Sequence, residues 1–308
     1  MRFAVADLQD QGDDENYEGG SNASKSSHIE DVPIKKQKHI RRPEAEYPDS
    51  VSIDAILKAG QLVMPKERKH VTFPIEAFDV KKQEWASMES LEILLETEKF
   101  SSGGFRDAFK GVTLSSNNEQ QYTWVVKTYN PKAIKAIHDT IQSTLESHTR
   151  KQVQMHTAAR QITKCFASKV PSNFGTCFEY NKVYYTTYND QPATIEEFVE
   201  GNFMKYINNT GKVCRPEDCT DEEEVLIEKA ECLVHYSYNA SNNKLMVLDI
   251  QGSKYRLYDP EIATQELMCA ESSEIYFCCG NLSTTGINSF KEAHVCNEYC
   301  KMMKLPYF

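Results

Sequence analysis

The sequence predicts an α+β domain, and three observations point there. Runs rich in β-branched and aromatic residues, set between glycine and asparagine turns, cluster around residues 100–130 and again around 177–200. That is the signature of strands. Apolar stripes at helical spacing lie apart from them, in 131–166 and 220–235. A compact group near the end of the chain, His294-x-Cys296-x3-Cys300, brings together soft metal-ligand types.

The composition narrows the function. The chain has 308 residues, 40% of them hydrophobic, enough for a large core. Its net charge of −10 argues against nucleic acid as a partner, since phosphate backbones call for a basic face. No apolar run reaches membrane-spanning length, so no membrane association is expected. Met1 to Tyr17 has neither the basic start nor the apolar core of a secretory signal, so a cytoplasmic protein is expected. In that reducing setting most of the ten cysteines should be free thiols, with a minority available for metal.

Three segments are expected. Residues 1–48 read as a disordered polar tail, acidic at Asp10, Asp13, Asp14 and Glu15 and ending in the basic cluster Lys35, Lys36, Lys38, Arg41 and Arg42. Residues 49–92 read as a lead-in that packs on the domain, with a short helix at Ile53, Ile56 and Leu57 and an anchor at Trp85. Residues 93–308 hold the domain itself. There Phe100 to Arg106 makes a glycine turn at Gly103-Gly104, followed by a strand over 108–114. Asn117-Asn118 turns the chain into a second strand, 122–129, that carries Lys127. A paired-glycine turn lets backbone N–H groups approach a phosphate, and a lysine on the next strand could reach it as a point charge. The same pattern also suits a plain hairpin with a surface lysine.

Pro131 opens a helix whose stripe is Ile134, Ile137, Ile141 and Leu145, and helix resumes from Val153 to Phe166. His138, His148 and His156 share no ligand face and read as structural or exposed. A hairpin is expected over 177–188, a short strand over 194–200, and a polar, turn-rich stretch over 202–211. Thr220 with Asp221 to Glu224 is a strong helix start. The run from Lys244 to Gly252 reads as one buried strand ending on Asp249-x-Gln251-Gly252. A carboxylate there is costly to bury without a partner or a task. Asp259-Pro260 follows, and the oxygen donors Asp249, Gln251 and Asp259 suit Mg²⁺ alongside phosphate oxygens; capping roles would also account for the two aspartates. On a helix, Cys296 and Cys300 at i, i+4 would stack on one face, with His294 turned inward only if the chain is non-helical there. Either a metal site lacking one ligand or two buried thiols with a histidine would produce that motif.

Nine short motifs, in order over about residues 95–305, resemble the alpha-kinases, a family of atypical serine/threonine protein kinases. They are Gly103-Gly104-Phe-Arg106, Val125-Val-Lys127, Val153-Gln-Met155 with Ala158-Ala159, Phe198-Val-Glu-Gly201 with Lys205-Tyr206, Leu233-Val-His235-Tyr-Ser-Tyr238, Val247-Leu-Asp249-Ile-Gln-Gly252, Tyr258-Asp259-Pro260, Gly280-Asn281-Leu282 with Gly286, and His294-x-Cys296-x3-Cys300. The H-R-D-x4-N and D-F-G motifs of conventional protein kinases are absent from the sequence.

The resemblance implies a two-lobed, atypical protein-kinase-like fold with a β-rich N-lobe, a mixed C-lobe and a structural zinc module. It implies ATP and Mg²⁺ as cofactors and a protein hydroxyl as acceptor. Lys127 would contact the α/β phosphates, the Gly103-Gly104 turn would cover them, and Arg106 would lie nearby. Glu196 through Phe198 would form the hinge that reads adenine with backbone groups. Asp249 would be the catalytic aspartate, Gln251 and Asp259 the Mg²⁺ ligands, and Gly280-Asn281 a loop on the substrate side. His235 would join His294, Cys296 and Cys300 around zinc, leaving no open position for hydrolytic chemistry. The chain departs from the family's usual pattern at Ser283, where a glycine is common, and at Ser253-Lys254 after the Asp-x-Gln-Gly run. These departures motivate an alternative, a catalytically impaired, zinc-stabilised pseudokinase acting as a binding module. Some relatives carry calmodulin-responsive elements where the basic cluster sits, but no basic amphipathic helix marks one here.

Overall fold

The computed structural model describes residues 57–61, 65–113 and 122–308. The tail, its basic cluster, the helix expected at Ile53 and Ile56 and the Asn117-Asn118 turn lie outside the described residues. Within the unit Met64–Phe308, a seven-stranded sheet holds β1 (Arg68–Asp79), β2 (Glu84–Glu96), β3 (Ser101–Ser102), β4 (Arg106–Thr113), β5 (Thr123–Tyr129), β7 (Val183–Tyr188) and β8 (Gln191–Glu197). Their order is β2-β1-β7-β8-β5-β4-β3, and β2 pairs with β4 as well, so the sheet curls toward closure.

The β1–β2 hairpin corrects the lead-in reading: a boundary at residue 93 falls inside β2. Pro74 argues against a strand in the sequence, but here it sits where the β1–β2 register shifts between Phe73 and Ile75, and a bulge tolerates a missing N–H. Phe73, Ile75, Ile93 and Leu95 are buried in this lobe's core. Trp85 packs against Phe78 in a tilted pair with ring centroids 5.3 Å apart, and the Arg150 guanidinium lies 4.7 Å from the Trp85 ring centroid.

The register of β4, β5 and β8 matters most for function. Ala108 pairs with Lys127, Lys127 with Thr194, and Val125 with Glu196. Paired residues share a face, as do residues two apart on one strand. Arg106, Lys127, Thr194 and Glu196 therefore project from one side of the sheet. The β7–β8 turn is Asn189-Asp190, both at positive φ, the left-handed pair that a two-residue hairpin requires. The hairpin expected over 177–188 does not form. β6 (Glu179–Tyr180) pairs in parallel with β12 (Arg256–Leu257) in a different sheet, and the chain crosses between sheets at Asn181-Lys182.

Helix α1 (Pro131–Asp139) is capped by Asn130, whose side chain accepts from the Ala133 N–H, and it ends earlier than its stripe suggested. The Ser/Thr-rich link instead supplies Thr144 as N-cap of α2 (Leu145–Ala167), which absorbs Leu145 and runs well beyond the expected 153–166. The remaining strands form two small sheets: β6-β12-β11-β9, with β9 (Met204–Ile207) and β11 (Ile250–Ser253), and β10 (Leu245–Leu248) with β13 (Glu261–Thr264). The stretch read as turn-rich over 202–211 thus contributes a strand. The strand expected from 244 to 252 is broken at Asp249, which takes φ +52°, so its halves enter different sheets. A Cβ at Gly252 would collide with the Arg256 carbonyl oxygen, which requires glycine there. Helix α3 (Asp221–Ala240) starts with the full Thr220–Glu223 capping box. It packs with α4 (Ser283–Ala293) and α5 (Glu298–Met302) around a large core that includes Leu226, Leu233, Val247 and Ile287. Among the described residues no helix is long and apolar enough to cross a membrane.

Candidate active site

The sheet face carrying Arg106 and Lys127 opens onto a cavity of about 590 Å³, whose other walls include the Gly103-Gly104 turn, Asp249, Gln251, Asp259 and Gly280. Lys127 forms ion pairs with Glu196 and with Asp259, the latter at 2.6 Å. Arg106 donates to the other Asp259 oxygen at 2.8 Å and to the Thr194 hydroxyl at 3.0 Å. Burial pushes the Asp259 carboxyl up, but the charges of Lys127 and Arg106 outweigh it and hold Asp259 well below the usual carboxylate range.

Asp249 and Asp259 both adopt left-handed backbone, at φ +52° and +49°. Left-handed aspartates sit where turns re-aim a side chain, and such strain concentrates at functional sites. Lys205 donates to Asp249 Oδ1 at 2.8 Å. The Gln251 amide donates to Asp249 Oδ2 and to the Asp259 carbonyl, each at 3.0 Å, and so ties the two aspartates together. Burial raises the Asp249 carboxyl above its ordinary value, partly offset by Lys205. The Gly103-Gly104 turn is held by Asn130, whose amide donates to both glycine carbonyls at 3.3 and 3.1 Å.

Glu196 and Asn281 sit differently from what the sequence suggests. Glu196 is a central-strand residue paired with Val125 and Val183, and its side chain, 3% exposed, turns to Lys127. The Phe198 N–H donates to the Thr123 carbonyl at 2.9 Å. The Glu196 backbone is committed to the sheet, whereas at Phe198 only the N–H is taken. Phe198 instead lines, with Val125 and Tyr258, a second cavity of about 170 Å³, and Lys110 Nζ lies 3.8 Å from its ring centroid. Asn281, 5% exposed, does not face the cleft: its side chain bonds Thr264, the Tyr276 carbonyl and the Ser283 N–H. It braces the loop that brings Gly280 to the cavity.

Sequence reasoning missed three side chains here. Lys205 stood only inside a motif, Glu261 was not weighed, and His156 was read as structural or exposed. Of the three histidines read together, His138 is exposed while His148 and His156 are buried. A Cβ at Gly280 would collide with the Glu261 carboxyl, so glycine makes room for that acid. Burial and the nearby Asp249 charge push Glu261 up to about 8 from an ordinary 4.5. The folded state therefore holds this proton more tightly than the unfolded chain. Glu261 favours the fold below about pH 4.5, and that contribution is lost as the pH rises toward 8. Glu261→Gln, which stays neutral, should flatten the fall in Tm between about pH 5 and pH 8. Melting curves of both proteins across that range check this, and parallel slopes would contradict it.

A second cluster lies among α3, α4 and α5. The ligand atoms of His235, His294, Cys296 and Cys300 all fall within 4.8 Å of one another. Cys296 Sγ is 3.7 Å from His235 Nδ1, and Cys300 Sγ is 3.5 Å from His294 Nε2. Bonds of about 2.0–2.3 Å to a tetrahedral zinc place ligand atoms about 3.5 Å apart, so the set fits that ion. The stacked i, i+4 geometry is not how it is built. His294 is the extended C-cap of α4, Cys296 follows in non-helical chain, and only Cys300 is helical. Asn297 caps α5 by accepting from the Cys300 N–H, and its amide donates to the Glu228 carbonyl on α3 at 2.8 Å. Glu231 Oε1 lies 3.4 Å from His294 Nδ1, the kind of outer carboxylate that orients a ligating imidazole. All ten cysteines are free of disulfides.

A chain with this curled sheet, cleft and His/Cys cluster is a two-lobed kinase-like α+β protein, and comparison with known proteins makes the class specific. Residues 101–300 match the model of the alpha-kinase family, and the chain belongs to that family. It is 27% identical over 210 residues to the human transient receptor potential cation channel subfamily M member 6, covering 66% of this chain and 10% of that one. It is 32% identical over 119 residues to myosin heavy chain kinase B of Dictyostelium discoideum, covering 39% and 14%. The chain thus spans between about a tenth and a seventh of the length of these relatives. A solved C-terminally truncated alpha-kinase domain of myosin heavy chain kinase shares the fold at TM-score 0.60 and 22% identity, over 78% of this chain and 99% of that one.

Proposed function

We propose that the chain is an ATP- and Mg²⁺-dependent protein serine/threonine kinase whose active site is the cleft above. The observation that carries this reading is the convergence of Lys127, Asp259, Gln251 and Asp249 on one cavity beside a paired-glycine turn. Phosphoryl transfer asks a protein chiefly to position groups and neutralise charge. Lys127 and Arg106 meet the nucleotide's phosphates as cations, and the Gly103-Gly104 turn lies over them. Asp249, steadied by Lys205 and Gln251, orients the acceptor hydroxyl and takes up its proton. The oxygens of Gln251 and Asp259 suit Mg²⁺, which when bound would neutralise charge on the transferring group. The smaller cavity, lined by Phe198, Val125 and Tyr258 together with polar residues such as Asn181 and Glu197, offers apolar surface to a purine. The His/Cys cluster holds a structural zinc. A protein substrate in the cytoplasm completes the reading. Solved alpha-kinase domains in complex with ADP and with AMP-PNP support a nucleotide in this fold.

One observation favours a second reading, a binding module with little turnover: both Asp259 oxygens are already taken, by Arg106 and by Lys127. Transfer of labelled γ-phosphate from Mg-ATP to a basic peptide, and autophosphorylation, separate the two. We expect transfer to Ser or Thr; tight ATP binding without transfer to any substrate would leave the binding module.

A further inference from the structure

Asp259 has two uses that compete. Its oxygens accept from two cations of the sheet face, Oδ1 from Arg106 at 2.8 Å and Oδ2 from Lys127 at 2.6 Å. The side chain is nonetheless 34% exposed and lines the main cavity, so a ligand can reach it. A divalent cation on that carboxylate would sit close to both positive charges, and like charges at such range oppose its binding.

The two cations are not held alike. Lys127 is shared between two carboxylates, Asp259 and Glu196. Arg106 pairs with one acid among the described residues, and its other side-chain partner is the neutral Thr194 hydroxyl at 3.0 Å. It lines the same cavity and opens β4 directly after the Gly103-Gly104 turn. A Cβ at Gly104 would meet nothing within 4 Å, so that turn has room to shift. We propose that Arg106 is a positioning residue that gates the metal: it latches Asp259 until the outer phosphates of a nucleotide draw its guanidinium away, and only then does Asp259 take a divalent cation. This rests on the nucleotide reading above. A guanidinium gives phosphate oxygens the same forked hydrogen bonds that it gives a carboxylate, so the exchange keeps its charge satisfied. Nucleotide and metal thereby favour each other's binding, and by linkage the effect is reciprocal. The Arg106–Asp259 bond is then the resting position of the latch.

The test titrates ATP, kept metal-free with EDTA, into the full chain by calorimetry, for the wild type, Asp259→Asn, Arg106→Met and the double variant. Asparagine cannot hold the guanidinium as an ion pair, so Asp259→Asn should bind metal-free ATP about ten-fold more tightly. In the Arg106→Met background the same change should gain about three-fold or less, because no latch is left to release. An equal gain in both backgrounds, or none in the first, would overturn the proposal and leave the nucleotide site standing. Wild-type protein that binds ATP neither with nor without Mg²⁺ would overturn both. A measurement on the wild type does not depend on how the variants fold. In protein labelled with ¹⁵N-arginine, metal-free ATP should shift the Arg106 guanidinium signal. Mn²⁺ alone should leave that signal sharp, and Mn²⁺ with ATP should broaden it. Equal broadening by Mn²⁺ alone would show metal entering a latched site and refute the order.

Discussion

Asp249→Asn should lower phosphoryl transfer by about 10²- to 10⁴-fold, the range expected for loss of a positioned general base. ATP affinity should change little, because in the proposed reading the phosphates meet Lys127 and Arg106 and not this carboxylate. Asparagine keeps the size and can still accept from Lys205, which bonds Asp249 at 2.8 Å, so the fold should survive. A single-turnover assay with nucleotide binding measured on the same sample separates the two effects. Transfer undiminished in Asp249→Asn would mean that the chemistry occurs elsewhere or that another group serves as base. Asp249 suits the role because its carboxyl is raised by burial but kept paired by Lys205, while Asp259, pinned by two cations, is a poor proton acceptor.

Cys300→Ser should cost the fold before it costs activity. Cys300 is 1% exposed, and its sulfur meets His294 where α3, α4 and α5 converge. Zinc binding in small peptides is worth about 10–16 kcal/mol apparent. If about 4 kcal/mol of this is lost, a domain of this size should melt about 10 °C or more lower, or fail to accumulate as soluble protein. Metal analysis of the wild type should give one zinc per chain, and a strong chelator should lower its Tm toward that of the variant. A soluble Cys300→Ser protein with a full zinc complement and an unchanged Tm would dismiss the ligand set. Phe308 packs on this cluster, its ring centroid 4.2 Å from that of His235.

Much of the cleft was legible in the chain because its reactive groups sit at local landmarks. Lys127 lies on a β-branched run, Asp249 at the end of an apolar one, and Asp259 before a proline. Each landmark spans a handful of residues. What escaped was whatever depends on partners distant in the chain. The resemblance put Glu196 in a hinge, and nothing near it in the sequence discloses that β8 lies beside β5 and turns its side chain to Lys127. The resemblance put Asn281 in a substrate-side loop, and only the fold shows Thr264 and Tyr276 closing on its side chain. The β1–β2 hairpin escaped for a more local reason: Pro74 breaks the alternation at the bulge that accommodates it.

By itself the sequence determined the inventory of chemical groups and most of the local backbone, since period-two and helical spacing, caps and left-handed turns are encoded within a few neighbouring residues. The tertiary structure alone decided which groups meet. It set Lys127 against Glu196 and Asp259, split one apolar run at Asp249 into two sheets, and buried His156 at the cavity wall. Strand register and lobe packing arise from contacts between distant segments, and those contacts exist only once the hydrophobic core has brought the segments together.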